Sequence, residues 1–308
     1  MAGVARFVRD PERLVIVPPE DGGNPCEIVL PTGAVRLGGV PESSARHLEA
    51  IPWPGGAGRG RPAARLAVVP VEAGWFRRAG EIDWDPFLAV EHRDDAVLVA
   101  GYRWMLRLER RDPPAGALWL DRTAAGSDLE DLWENVLRIV AAYGALAAGG
   151  LLLHSAAVVV GGAGFLLPGA SGDGKSTVAA LCGREGALVL SDDCNAVLPG
   201  GRGFEVAGLP FGGDRRPRAC PAGRYPLAGI LGLEKGEETA LEAEDPAAVA
   251  ARLVAAAPFV NGDPAVGTTV LARASGIAAC VPVGRLRFAL SGGVVAALDG
   301  AARRGTAV

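Results

Sequence analysis

The stretch Phe165-Leu-Leu-Pro-Gly-Ala-Ser-Gly-Asp-Gly-Lys-Ser-Thr177 decides the fold of the C-terminal part of the chain. It opens with three apolar residues typical of a buried strand and continues as G-x-x-x-x-G-K-S, the pattern of a phosphate-binding loop. Glycines let the backbone curl so that successive N–H groups face one concavity, to which the following helix adds its positive end. The pattern predicts a strand, a phosphate loop, and a helix from Ser176 to about Arg184.

The residue types of this loop fit the binding of a nucleoside triphosphate. Lys175 is expected to reach the β- and γ-phosphates, and the Ser176 hydroxyl to ligate Mg²⁺. Lysine is scarce, since only Lys175 and Lys235 occur among 31 basic residues, so a chance match to the pattern is rare. The candidate nucleotide-binding residues are Gly169, Ala170, Ser171, Gly172, Asp173, Gly174, Lys175, Ser176 and Thr177.

Two adjacent aspartates, Asp192 and Asp193, follow the next apolar run, residues 187–190. A right-handed β-α-β crossover would place them beside the mouth of the loop. One carboxylate there can hold Mg²⁺, and the other can accept a proton from a substrate hydroxyl. A pair of acids therefore favours phosphoryl transfer to a hydroxyl, because a hydrolytic switch needs only one acid at the metal.

The region from Leu151 to Leu298 resembles the HPr kinase family, and more closely its shorter bacterial relatives. The resemblance rests on LLLHSAAVVVGGAGFLLPGASGDGKST (151–177) and LVLSDD (188–193), and on the weaker pieces GLPFGG (208–213), PLAGILGLEKGEE (226–238) and VPVGRLRF (281–288). Thr177 stands where authentic HPr kinases carry an acidic residue. The resemblance implies an ATP- and Mg²⁺-dependent kinase of a P-loop NTPase type. Its shorter members include kinases that phosphorylate a serine of ribosomally made precursor peptides.

The resemblance also implies individual roles. Asp192 is similar to the catalytic base of the family, His154 to the histidine that assists it, and Asp193 to the Mg²⁺ ligand; the two aspartates could exchange roles. From the residues alone, His154 lies in an apolar run and fits a core histidine as well as a catalytic one.

A cluster of arginines follows the aspartates. Arg215, with Arg216 and Arg218, either lies in a solvated loop or stabilises the γ-phosphate, and Arg215 is the candidate catalytic residue of the three.

The sequence predicts an α/β protein of two domains. Residues 127–300 form the P-loop kinase domain, residues 1–126 a smaller β-rich (α+β) domain expected to recognise the acceptor, and residues 301–308 a C-terminal tail. The strand-like runs of the first domain are residues 14–17, 66–69 and 96–108, the last alternating as one half-buried strand.

Further elements are predicted after the segment rich in Pro, Gly and Asp at residues 112–127. A helix begins at Ser127 or Asp128 and ends at Gly149-Gly150, and a strand covers residues 151–160. A later helix runs from Asp245-Pro246 to about residue 256, and a late strand covers residues 286–290. Residues 139–172 lack charged side chains, but glycine pairs and a histidine divide them into helix end, strand, turn and strand.

Composition limits the partners. A formal net charge of −4 argues against binding to nucleic acid. Five cysteines without a C-x-x-C spacing are typical of a reducing compartment, and the first residues lack the apolar core of a signal peptide. A cytoplasmic protein with no membrane partner is expected, and a homo-oligomer stays open.

These patterns predict a phosphotransferase that moves the γ-phosphate of ATP, with Mg²⁺, to a hydroxyl, in the first place a serine of a peptide or protein. Two alternatives stay open. The same machinery could serve a metabolite or sugar kinase, or the domain could be a nucleotide-binding regulatory ATPase without phosphotransfer.

Overall fold

The computed structural model describes residues 3–15, 24–51, 53, 62–84, 87–201, 203–211 and 220–304. The protein is a mixed α/β structure with two sheets, and it divides into two compact units. The first unit is built mainly from residues up to 140 and the second mainly from residues after 140.

The first unit holds a seven-stranded sheet in the order β1-β2-β3-β7-β6-β5-β4. Strands β2, β3 and β7 run parallel, whereas β7, β6, β5 and β4 are antiparallel neighbours. The strand predicted at residues 66–69 is confirmed as part of β3. In chain order the elements are α1 (Pro11–Val15), β1 (Asn24–Leu30), β2 (Gly33–Val40), α2 (Glu42–Ala50), β3 (Pro62–Val71), β4 (Ala89–His92), β5 (Ala96–Gly101), β6 (Trp104–Glu109) and β7 (Ala115–Asp121).

The strand predicted at residues 14–17 is wrong for its first two residues, which belong to helix α1; residues 16 and 17 lie outside the described residues. Asp10 starts the helix, because its carboxylate accepts from the backbone N–H of Arg13 at 3.2 Å, and Pro11 suits the first helical position. Leu14 is fully buried in a cluster with Phe7 and Val8. A short apolar run does not by itself distinguish a strand from one buried turn of helix.

The single strand predicted at residues 96–108 is also wrong, because β5 and β6 form a hairpin with a two-residue turn at Tyr102-Arg103. Arg103 takes a positive φ of 66°, which is uncommon for a residue with a Cβ. Paired residues share a face of the sheet, so Leu98 lies on the same face as Arg107, and Ala100 on the same face as Met105. The alternation between the two faces is therefore displaced by one residue from that of a single continuous strand. Without a glycine or asparagine in the turn, the pattern alone gave no signal of it.

The second unit holds an eight-stranded sheet in the order β10-β8-β11-β12-β13-β15-β14, with β9 paired to β8 and β13. The elements are α3 (Ser127–Ala147), β8 (Leu151–Val160), β9 (Ala163–Pro168), α4 (Lys175–Arg184), β10 (Leu188–Ser191), β11 (Cys194–Gly200), β12 (Gly203–Gly208), β13 (Tyr225–Lys235), β14 (Ala240–Ala243), α5 (Pro246–Ala255), α6 (Gly267–Cys280), β15 (Val283–Phe288) and α7 (Val294–Arg304). The predicted helices at 127–149, 176–184 and 245–256 are confirmed, as are the strands at 151–160 and 165–168.

Three boundaries differ from the sequence-based ones. The late strand predicted at 286–290 begins earlier and ends at Phe288. Residues 301–304, assigned to a tail, form the last turn of α7, and residues 305–308 lie outside the described residues. The two units divide inside α3, between Val140 and Ala141, whereas the sequence placed the domain boundary at residue 126, just before α3 begins.

Strand β8 organises the sheet because its two halves pair with different strands. Residues 151–154 pair with β11, residues 155–160 pair with β9, and residues 157–159 also pair with β10. Both β9 and β10 are antiparallel to β8, so they run in the same direction with β8 between them. The C-terminal ends of β9 and β10, from which the phosphate loop and the aspartates emerge, therefore lie at the same edge of the sheet.

Helices α4 and α7 cover one face of this sheet. A single buried cluster joins Val178 and Leu181 of α4 to Phe165 of β9, Phe288 of β15 and Leu298 of α7. None of the helices within the described residues combines enough length with enough apolar character to cross a membrane. The uncharged stretch 139–172 is the end of α3, β8, a turn at two glycines, and β9.

Candidate functional site

The loop at residues 169–174 links β9 to α4, and its glycines are needed for two different reasons. Gly172 and Gly174 take φ values of 91° and 102°, a region that glycine enters without strain. A Cβ on Gly174 would also lie 2.7 Å from Cζ of the buried ring of Phe288, whereas a Cβ on Gly172 would meet nothing within 4 Å. The loop therefore packs closely on the sheet at Gly174 and is open at Gly172.

The loop already binds one anionic oxygen of its own. The Asp173 carboxylate accepts from the backbone N–H of Ala170 at 2.6 Å, and the N–H of Asp173 donates to the carbonyl of Ala170 at 3.3 Å. Ala170, Ser171, Gly172 and Asp173 are exposed. A backbone N–H of this curled segment thus donates to a negatively charged oxygen, which is the interaction that phosphate binding requires.

Lys175 is the first residue of α4 and is only 7% exposed. Its Nζ donates to the carbonyls of Gly169 and Ala170 at 2.8 Å each, so the ammonium lies across the base of the loop. Burial lowers the pKa of Lys175, and the negative charges of Asp173 and Asp193 partly oppose that shift. Ser176 and Thr177 follow in the first turn of α4, with both residues exposed.

A tight turn holds the two aspartates after β10. The Ser191 hydroxyl oxygen accepts from the backbone N–H groups of Asp193 and Cys194, each at 3.2 Å. The carbonyl of Asp193 accepts from the N–H of Ser155 on β8 at 2.9 Å. The backbone at Asp193 is therefore fixed from two sides, while Asp192 is half-buried beside it.

His154 lies on β8, directly opposite Cys194 in the β8–β11 register. Its Nδ1 is 3.1 Å from Oδ1 of Asp193, and its side chain is 42% exposed whereas that of Asp193 is only 10% exposed. The alternative of a core histidine is therefore wrong. The resemblance left the roles of Asp192 and Asp193 exchangeable. The structure places Asp193 against the imidazole, because the register brings the residue before Cys194 to that position.

A buried amide, which sequence reasoning missed, ties these strands together. The Nδ2 of Asn195 donates to the carbonyl of Ser155 at 2.7 Å and to the carbonyl of Ser191 at 3.4 Å, and the Asn195 side chain is fully buried. A polar residue inside the apolar run after the aspartates, CNAVL, was the signal that could have identified it. Asn195 fixes the aspartate turn to the strand that carries His154.

The glycine loop and the aspartate turn lie at the same edge of the sheet, because β9 and β10 run in the same direction on either side of β8. Asp193 acts on the pKa of Lys175, although 17 residues separate them in sequence. Lys175, Asp193 and His154 are thus brought together at one edge of the sheet. Arg215, the remaining predicted catalytic residue, lies outside the described residues together with Arg216 and Arg218.

The oxygen donors at this edge fit a Mg²⁺ ion. Mg²⁺ takes hard oxygen ligands, commonly one or two carboxylates together with phosphate oxygens. The Asp193 carboxylate, with its backbone fixed, and the exposed hydroxyl-bearing residue Ser176 offer that chemistry.

Comparison with known proteins adds no relative. No model of a protein family matches the chain, and none of the curated proteins matches it.

Proposed function

We propose that the protein is an ATP- and Mg²⁺-dependent phosphotransferase that phosphorylates a hydroxyl, with its second unit acting as a P-loop kinase domain of the HPr-kinase-like kind. The observation that carries the proposal is that the glycine loop with Lys175 and the Asp193–His154 pair lie at the same edge of the sheet, where β9 and β10 end. Such a site combines groups that bind phosphate with two carboxylates, of which one can ligate a metal ion and the other can accept a proton.

In this proposal the loop residues 169–177 bind the triphosphate. The Lys175 ammonium, now bonded to the carbonyls of Gly169 and Ala170, would exchange these bonds for bonds to the β- and γ-phosphate oxygens. Ser176 and Asp193 would hold Mg²⁺, which when bound would neutralise part of the phosphate charge. His154 orients the Asp193 carboxylate, as a hydrogen-bonded partner commonly does for a metal ligand.

Asp192 is the proposed general base. It is more accessible than the buried Asp193, so an acceptor hydroxyl can approach it. During transfer the bond from the γ-phosphorus to the bridging oxygen breaks and a bond from the acceptor oxygen to that phosphorus forms. Asp192 takes the hydroxyl proton, and the products are ADP and a phosphate monoester.

A peptide or protein serine is the proposed acceptor, and the first unit the proposed recognition domain. In support, the sheet of the first unit bears an open groove of about 640 Å³. Its charged lining residues are Arg36, Arg65, Arg107, Arg111 and Glu109, and three of these arginines are paired with acids: Arg36 with Glu27, Arg107 with Asp95 and Glu109, and Arg111 with Glu109. An open groove suits an extended peptide better than a small metabolite, which is usually enclosed on most sides.

The test is transfer of label from γ-labelled ATP, with Mg²⁺, into a size-fractionated extract of the host. Lys175→Ala is expected to lower ATP affinity about 10–100-fold, because it removes hydrogen bonds to a charged group. Asp192→Asn is expected to keep ATP affinity and lose transfer. Arg184→Ala, at an exposed position in the last turn of α4, is the matched control.

The fraction that carries the label decides between the alternatives. Label in a peptide or protein supports the proposal, whereas label in the small-molecule fraction would assign a metabolite kinase. Label recovered only as free phosphate would overturn the phosphotransferase assignment. Full transfer by Asp192→Asn would overturn the role of Asp192 as the general base.

A further inference from the structure

The side chains of His154, Asp193 and Cys194 converge on one point beside the proposed phosphate site. One nitrogen, one oxygen and one sulfur atom from these residues lie within 4.8 Å of one another. Within the part of the chain that the structure describes, no second group of three or more His, Cys, Asp or Glu side chains is gathered this closely.

We propose that His154, Asp193 and Cys194 form a binding site for a thiophilic divalent cation of the Zn²⁺ class. Cysteine sulfur and imidazole nitrogen are the ligands that zinc takes in proteins, whereas Mg²⁺ takes hard oxygen ligands. The donor set of this cluster therefore differs from that of the proposed Mg²⁺ site, with which it shares Asp193.

The spacing of the ligand atoms suits a small tetrahedral ion. Zinc–ligand bonds of about 2.0–2.3 Å place tetrahedral ligand atoms about 3.3–3.8 Å apart. His154 Nδ1 and Asp193 Oδ1 are 3.1 Å apart, and the largest separation in the cluster is below 4.8 Å. Small side-chain rotations bring the three atoms to the required spacing and leave a fourth position for water.

The backbones that carry these side chains are held in place, which lowers the entropic cost of gathering them. The Ser191 hydroxyl oxygen accepts from the N–H groups of both Asp193 and Cys194, and the carbonyl of Cys194 accepts from the N–H of Leu209 at 3.0 Å. The N–H of His154 donates to the carbonyl of Ala256 at 2.7 Å. The imidazole is 42% exposed, so an ion can enter from solvent.

Binding forms a metal–sulfur bond, and the thiol proton of Cys194 passes to water. The consequence for activity rests on the proposed function. The ion would take the Asp193 carboxylate away from Mg²⁺ and would place a second positive charge beside Lys175. Filling this site is therefore expected to inhibit phosphotransfer.

The metal site is tested without nucleotide, by titrating the full chain with Co²⁺ as a spectroscopic substitute for Zn²⁺. The unmodified protein is expected to bind one ion with a thiolate-to-cobalt charge-transfer band in the near ultraviolet. Cys194→Ala is expected to lose the band, whereas Cys280→Ala, at an exposed cysteine, keeps it. Absence of the band in the unmodified protein, or its persistence in Cys194→Ala, would overturn the proposal.

A second variant guards against misfolding at the buried Cys194. His154→Gln changes a half-exposed side chain and is expected to weaken Zn²⁺ binding about 100-fold or more, measured by competition with a chelating dye. Unchanged Zn²⁺ affinity in this variant would show that the ion binds elsewhere.

The inhibition is tested separately, with phosphotransfer measured against added Zn²⁺. Cys194→Ala is expected to raise the half-inhibitory concentration at least about 10-fold. Equal inhibition of both proteins would remove the inhibitory role. A Cys194-dependent cobalt band in a protein without phosphotransfer would support the metal site and overturn the proposed function.

Discussion

At the scale of single residues, Gly172 and Gly174 form a matched pair in the phosphate loop. Both have positive φ, but only Gly174 faces the buried ring of Phe288. Gly172→Ala is expected to cost about 1–2 kcal/mol through the backbone conformation alone. Gly174→Ala adds a collision with a buried ring, which brings the expected loss to about 2–5 kcal/mol.

The measurement is the free energy of unfolding of both variants in denaturant. Gly174→Ala is expected to unfold at the lower denaturant concentration. Equal midpoints for the two variants would mean that Phe288 yields to the added methyl group, which would contradict the close packing.

Arg103, the residue that forms the hairpin turn with positive φ, supports a second prediction at this scale. Its guanidinium lies 2.9 Å from the buried carboxylate of Asp121 and 2.7 Å from that of Asp128. Arg103→Ala leaves the Asp121 charge buried without this partner, so a loss of about 2–4 kcal/mol in unfolding free energy is expected.

The control for Arg103 is Arg122→Ala. Arg122 pairs with Glu72 at 3.2 Å, and both side chains are largely exposed, so the expected loss is below about 1 kcal/mol. A similar effect of the two substitutions would contradict a role for Arg103 in holding the hairpin.

At the scale of elements, Glu185 joins the end of α4 to the start of α7. Its carboxylate accepts from the N–H groups of Gly293 at 2.9 Å and Val295 at 2.8 Å, so an acid caps the N-terminus of α7. Glu185→Ala leaves these N–H groups without their acceptor and removes a favourable charge at the helix end.

Glu185→Ala is expected to lower the free energy of unfolding by about 1 kcal/mol. The measurement is the midpoint temperature of thermal unfolding, which should fall. Glu185→Gln, which keeps one oxygen acceptor, is expected to lose less. Glu237→Ala, at an exposed acid, is the control, and an equal shift there would remove the cap as the cause.

The elements that the sequence predicted well are those with a strong local signal. Helix α5 has Asp245 as its cap, accepting from the N–H of Ala247 at 2.9 Å, and Pro246 at its first position. Helix α6 was not predicted, because it contains glycine and threonine residues and its N-cap residue, Val266, offers no side-chain cap. Its position is set by packing in the second unit, and a local sequence pattern contains no information about that packing.

At the scale of the whole molecule, the buried thiol of Cys182 and the half-buried thiol of Cys220 are expected to lower the stability at alkaline pH. Burial raises the pKa of Cys182 and of Cys220 from the ordinary value of 9.0 to about 12. Above pH 9 the unfolded chain releases these protons while the folded chain keeps them, so the free energy of unfolding falls as pH rises. The loss is expected to reach about 1.4 kcal/mol per thiol for each pH unit between 9 and 12.

The measurement is the free energy of unfolding from pH 8 to pH 10 in the presence of a reductant. Cys182→Ala is expected to remove about half of the pH-dependent loss that the two thiols cause, and Cys280→Ala, at an exposed thiol, serves as the control for loss of a cysteine. The same pH slope in Cys182→Ala as in the unmodified chain would contradict a buried neutral thiol at this position.

In the candidate site, features that depend on consecutive residues were predictable, and features that depend on the pairing of distant strands were not. The glycine-rich loop between β9 and α4 was predictable because its signal is written in nine consecutive residues, 169–177. The contact of His154 with Asp193, rather than Asp192, depends on the register between β8 and β11, and a one-residue change of register reverses which side chains share a face. Asn195 and Cys194 were not recognised as site residues for the same reason.

The order in which the site residues and their later partners occur along the chain has a consequence for biosynthesis. Every described residue of the site, from His154 to Cys194, belongs to one continuous segment of the chain. On the ribosome this segment emerges before β13, which pairs with β9, and before Ala256, whose carbonyl accepts from the N–H of His154. A nascent chain halted near residue 200 thus carries the site residues without the later partners that fix them. Under the proposed function, we expect nucleotide affinity to arise only once translation has passed residue 256.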